Sequence, residues 1–104
     1  MDLVDEVYNI VRFLPKDELF ALSSQIRRAV VSIPSNIAEG YERKSKKEYI
    51  HFLSVAKGSR AELETQLLIC IRQGYISAEK TDRAFYLSSE VGKILNTLIN
   101  KENS

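Results

Sequence analysis

The sequence has 104 residues, a formal net charge of +1 and 44% hydrophobic residues, with no tryptophan. That length suits one domain, residues 1–104, around a single core, and the near-balanced charge excludes a whole-molecule field that would draw in nucleic acid. A lone cysteine, Cys70, excludes an internal disulfide and fits a reducing compartment; with no apolar run of membrane-spanning length and no basic-led apolar leader, the expectation is a soluble cytoplasmic protein with no membrane partner.

A first helix is predicted from residue 2 to about residue 13. Asp2 can cap it, and Asp5 and Glu6 suit the positive end of its dipole. Leu3, Val7, Ile10 and Leu14 form its apolar row, widened by Val4 and Val11. At about three turns it needs tertiary support. Pro15 then marks the start of a second helix, where its missing N–H costs nothing. So tight a link makes the two helices antiparallel neighbours.

The second helix is predicted from about Lys16 to Glu42. Leu19, Leu22, Ile26, Ala29 or Val30, Ile33 and Ile37 recur in steps of three and four, which sets them on one face. Pro34 removes a backbone donor and crowds the Val30 carbonyl. It leaves two readings: one helix bent near Val30, or two helices meeting at Ser32–Pro34. The apolar row keeps its phase from Ile26 to Ile37, which favours the bent helix. The Ser32 and Ser35 hydroxyls could then satisfy the freed backbone groups.

A second row on this helix is polar: Arg28, Ser32, Asn36, Glu39 and Arg43. It reads either as a hydrogen-bond and ion-pair network facing another helix or subunit, or, with Arg27, as part of a ligand or nucleic-acid surface.

Gly40 sits near the end of that helix, and Ser45-Lys46-Lys47-Glu48 spells a capping box for the next. The third helix is predicted from about Lys46 to Gln73, with Tyr49, Phe52 or Leu53, Ala56, Leu63, Leu67 and Cys70 or Ile71 as its apolar row. Ala56, Gly58 and Ser59 would let another helix approach closely. Gly58 costs about 1 kcal/mol against alanine inside a helix, so a packing reason is expected there. Glu62 and Gln66 can face the polar row. Gly74 supplies a left-handed stop, and Ser77 a cap for a fourth helix from about Ala78 to Asn100. Ala84, Leu87, Val91, Ile94 or Leu95, and Leu98 form its stripe.

Four helices, three short connections and no strand pattern predict an all-α, up-down-up-down four-helix bundle with a short first helix. That helix cannot cover the length of the others, so apolar surface on helix three or four is left for self-association to cover.

Catalysis finds little support. Glu48 and His51 have the Glu-x-x-His spacing of di-iron bundles, but those sites need a second such pair and two further glutamates, and this chain has one histidine. Cys70 reads as a small core hydrophobe, the serines lack a base partner, and no glycine-rich phosphate loop is present. No enzyme activity, metal or cofactor is therefore expected. The basic segment stands out more. From Arg43 to Arg60, Arg43, Lys44, Lys46, Lys47, Lys57 and Arg60 face one acid, Glu48, for a local net charge of +5. Tyr41 and Tyr49 flank its dense part. It reads either as a solvated turn or as a phosphate-contacting surface that a ring of subunits would multiply.

The run Pro15-x-x-Glu18, Leu22, Gln25-Ile26-Arg27-Arg28-Ala29, Ser32-Ile33-Pro34-Ser35-Asn36-Ile37-Ala38-Glu39-Gly40 and Arg43 resembles the 23S ribosomal RNA intervening-sequence proteins, often called simply four helix bundle proteins. Phe52-Leu53, Ala56, Gly58-Ser59, Glu62-Leu63, Gln66-Leu67 and Gly74-Tyr75-Ile76 continue the likeness. The resemblance implies a four-helix bundle without established enzymatic activity. It extends in fold to the accessory variability determinants of diversity-generating retroelements, pentamers with a basic surface that bind nucleic acid and a reverse transcriptase. Carried over, it makes Arg27, Arg28, Arg43 and the nearby lysines a candidate RNA or DNA surface, and assigns Asn36, Glu39, Glu62 and Gln66 to structure or subunit contact. The partners it implies are RNA or DNA and further copies of the chain. A purely protein-binding scaffold is the competing expectation.

Overall fold

A computed structural model describes the backbone of residues 1–104 and the side chains of residues 1–17 and 21–104. The expected roles of the Glu18 and Leu19 side chains therefore lie outside the described residues. The chain forms α1 (Asp2–Val11), a 3-10 turn (Lys16–Glu18), a π-helical turn (Leu19–Ser23), α2 (Ser24–Tyr41), α3 (Lys46–Arg72) and α4 (Ala78–Glu102). It is an all-helical, four-helix bundle.

The apolar rows do the assembling. Leu3, Val7, Ile10, Val11 and Leu14 from the first segment meet Ile26, Ala29, Val30 and Ile33 of α2, Leu53, Ala56, Leu63, Leu67 and Cys70 of α3, and Ala84 and Leu95 of α4 in one buried cluster. Each fully buried Leu or Ile in it is worth roughly 1.5–3 kcal/mol against exposure. Between Ile94 and Leu95, burial selects Leu95; Ile94 points to solvent.

α2 packs on α3, α3 on α4, and α1 lies against α2 and α4. A Cβ built on Gly40 would lie 3.1 Å from Tyr49 Cδ1, and earlier in α2 the Ser32 and Ser59 hydroxyls share a 2.8 Å hydrogen bond. Rising numbers on one helix match falling numbers on the other, so α2 and α3 run in opposite directions. Arg60 against Gly92, and Glu64 bonded to Ser88, give the same relation for α3 and α4.

The α-helix passes through Pro34 without a break, as the phase of its apolar row requires. The irregular backbone lies upstream, at Lys16–Ser23, where 3-10 and π turns replace the regular helix expected from Lys16. Ser32 Oγ is engaged by Ser59 and by Asn36 Nδ2, which also donates to the Ser32 carbonyl at 2.7 Å. Ser32 thus joins helices rather than patching the ladder behind Pro34.

Helix ends follow the expected chemistry at two places and depart from it at two. Ser45 is extended and its hydroxyl accepts from the Glu48 N–H at 3.1 Å. Gly74 has φ +76°, the Tyr75 N–H bonds the Cys70 carbonyl and the Gly74 N–H bonds that of Ile71, a Schellman closure. Asp2, in contrast, is already helical and Met1 holds the cap position. Ser77 occupies the cap of α4, but its carbonyl, not its hydroxyl, meets the Lys80 N–H.

The packing role expected of Gly58 is overturned within this chain. Gly58 is exposed, and an added Cβ there would meet nothing within 4 Å. The close approaches are at Gly40 and Gly92. Among the described residues, no helix is long and apolar enough to cross a membrane.

Candidate functional site

At the end of the bundle where α2 closes and α3 opens, the turn at residues 42–45 brings basic side chains together. Arg43 is tethered: it pairs with Glu39 one turn back, and its guanidinium carbon lies 5.0 Å from the centre of the Phe52 ring. Lys44, Lys46 and Lys47 are exposed. The last turn of α4 arrives beside them, carrying Lys101 and Glu102.

These elements enclose an open cleft of about 530 Å³ lined by Tyr41, Arg43, Lys44, Lys46, Tyr49 and Lys101, with Gly40, Ser45, Leu98 and Glu102 completing it. Four cations thus face one carboxylate. Tyr41 and Tyr49 lie with ring centres 5.6 Å apart and planes tilted by 32°. Tyr41 is 66% exposed and offers a ring to solvent. Burial pushes the Tyr49 phenol above the ordinary tyrosine value of 10.0; its hydrogen bond to Tyr41, the charge on Tyr41 and the Glu102 carboxylate add to the rise. The lining thus sets exposed cations beside the half-buried Tyr49, Leu98 and Glu102.

The other basic residues singled out from the sequence lie elsewhere. Arg27 and Arg28 are fifteen or more positions from Arg43 along α2, about 22 Å at 1.5 Å per residue. They line a separate recess of about 300 Å³ with Tyr8, Val31, Ser32 and Ser35, and the Arg27 guanidinium carbon lies 5.7 Å from the Tyr8 ring centre. Lys57 is exposed on α3, about 16 Å beyond Lys46 along the axis.

Arg60 is directed into the α3–α4 seam. Its Nη1 donates to Glu64 Oε2 at 2.9 Å and, at 3.4 Å, to the Ser88 carbonyl; the Ser88 hydroxyl donates to the same Glu64 oxygen at 2.6 Å. Charge spacing alone could not separate this half-buried arginine from the exposed lysines. Glycine at 92, opposite Arg60, is the feature that permits the arrangement. Lys101 was the residue missed: it is distant in sequence, and only the closing of the bundle brings it to the cleft.

The structural residues form three small groups. Asn36 and Ser32 tie α2 to Ser59, and Glu39 holds Arg43. On α3, Gln66 is buried and its Nε2 donates to Glu62 Oε1 at 3.1 Å, so this pair bonds within its own helix. Arg28 makes no ion pair among the described residues. His51 is exposed, edge-on to Phe52, and no group of three or more His, Cys, Asp or Glu side chains gathers among the described residues to hold a metal.

Among curated proteins, nothing matches the chain. Among solved structures, it is similar to a crystal structure of a protein of unknown function from the S23 ribosomal protein family of Bacteroides thetaiotaomicron VPI-5482. The two are 30% identical with a TM-score of 0.85, over 94% of this chain and 92% of that one. The profile described as 23S rRNA-intervening sequence protein matches residues 1–97. Neither description names an enzymatic activity. The chain therefore belongs to the 23S rRNA-intervening sequence protein family.

Proposed function

We propose that this protein is a non-enzymatic, cytoplasmic helical bundle that assembles with copies of itself and binds RNA or DNA through the basic end of the bundle. The observation that carries the reading is the convergence of Arg43, Lys44, Lys46 and Lys101 from three elements on one cleft, with Lys47 beside it. Lysines and arginines that neutralise phosphates supply most of the affinity in such contacts. Family membership adds support, and by resemblance the assembly is a pentamer. Exposed Leu68 and Ile69, adjacent on α3, are apolar surface that subunit contact would cover. The test is the triple variant Lys44→Glu, Lys46→Glu, Lys47→Glu: it loses nucleic-acid binding while its circular dichroism stays helical. Retained binding contradicts this surface.

The same exposed α3 side chains favour a second reading, a scaffold whose partner is another protein. It predicts no salt-dependent nucleic-acid affinity and a stoichiometric protein partner recovered after nuclease treatment.

A further inference from the structure

The cleft has a feature that phosphate binding does not use. Its lining cations are exposed, whereas the Tyr49 ring and Leu98 are half-buried, with the exposed Tyr41 ring beside Tyr49. A site for phosphates alone needs no aromatic ring. The volume of about 530 Å³ falls within the range of about 300–1,000 Å³ for clefts that enclose small ligands. A base swung out from a strand, with its sugar, is an object of that kind. A base inside a duplex is not, because both its faces are already stacked.

We propose that this cleft takes an unpaired base of a single-stranded nucleic acid, stacked on Tyr41, while Lys44, Lys46 and Lys101 hold the phosphates on either side. The assignment rests on the nucleic-acid reading above and deepens it. Single-strand binding sites combine these two parts: a cationic track for the backbone and an aromatic face for the base. The single acid, Glu102, lies on the α4 side with Lys101 next to it in the chain.

The experiment compares labelled single strands of RNA and of DNA with a closed dumbbell duplex of equal charge, its ends joined by ethylene-glycol linkers so that it has neither an open end nor an unpaired loop base. Binding is followed by fluorescence anisotropy at one fixed salt concentration, for the unmodified chain, Tyr41→Ala and Tyr41→Phe. The expected result is tighter binding of a single strand than of the dumbbell. Tyr41→Ala weakens single-strand binding roughly tenfold, the worth of one aromatic–base stack, and changes dumbbell binding less than twofold. Tyr41→Phe, which keeps the ring, retains the single-strand affinity, and the retained dumbbell binding of Tyr41→Ala excludes its misfolding as the cause of the loss. RNA against DNA arms show which sugar the site accepts. Equal affinity for single strand and dumbbell, or an equal loss on both with Tyr41→Ala, overturns the base-stacking site and leaves phosphate binding standing. Absence of binding to every probe overturns both.

Discussion

Gly92 lies directly against the Arg60 guanidinium: a Cβ added there would sit 2.7 Å from Arg60 Cζ, well inside contact distance. The α4 backbone at this point is the surface on which the arginine rests while it reaches Glu64 and the Ser88 carbonyl. Gly92→Ala makes the guanidinium, the free end of a flexible side chain, swing away from α4 and off its hydrogen bonds. The lost charged hydrogen bonds are worth about 1.5–3 kcal/mol, and the gain from alanine in a helix returns up to about 1 kcal/mol. Net destabilisation of about 1 kcal/mol is expected in urea unfolding. In an Arg60→Ala background the same change reverses sign and stabilises, because the clash is gone; this cycle measures the coupling directly.

Gly58 and Gly40 separate in the same way. Gly58→Ala adds a methyl group into open space in the middle of α3, and stability rises by roughly 0.5–1 kcal/mol. Gly40→Ala presses on Tyr49 Cδ1 at 3.1 Å and Phe52 Cβ at 3.2 Å. Tyr49 and Phe52 must then give by a few tenths of an ångström; overpacking costs about 1–3 kcal/mol against up to about 1 kcal/mol gained from alanine in a helix, so a net loss is expected. Denaturation midpoints of the two variants therefore move in opposite directions.

Ser45→Ala removes the hydroxyl that accepts from the Glu48 N–H. Loss of a serine cap costs about 1 kcal/mol, and unfolding experiments will show it. Because every lysine of the basic turn is retained, nucleic-acid affinity is expected to change far less than in the triple lysine variant.

Tyr49 links pH to stability. Its folded-state pKa is raised, first by burial and then by Tyr41 and Glu102. Above 10.0 the unfolded chain releases this proton before the folded one does, so the stabilisation present below that pH is lost as pH climbs through the folded value. Absorbance at alkaline pH, taken as the difference between the unmodified chain and Tyr49→Phe, is expected to show a midpoint above 10.0. A midpoint at or below the ordinary value would contradict the half-buried phenol beside Tyr41 and Glu102.

Much of the bundle was legible in the sequence because apolar periodicity and end signals are local. The rows through Leu3–Val7–Ile10, Ile26–Ile33 and Leu63–Leu67–Cys70 are the rows found buried. Ser45 and Gly74 act at the ends where their chemistry puts them. The π turn at Leu19–Ser23 was not legible, since its residues continue a helical pattern and only hydrogen-bond register distinguishes it. Gly58 and Gly92 look alike in sequence, yet only tertiary placement says which one faces a neighbour. The same holds for the basic residues: Arg60 and Lys57 share a segment, and helix rotation sends one into the α4 seam and the other to solvent. Lys101 belongs to the candidate site through chain closure alone.

The central claim is phosphate contact by the basic end of the bundle, and a salt series tests it most directly. Nuclease-treated protein would be titrated by fluorescence anisotropy against labelled RNA and DNA single strands as salt is raised. The account predicts that the logarithm of affinity falls linearly with the logarithm of salt concentration, with a slope of about −0.7 for each phosphate neutralised, and a shallower slope for the triple lysine variant. Absence of binding at low salt, or binding that does not change with salt, would contradict it.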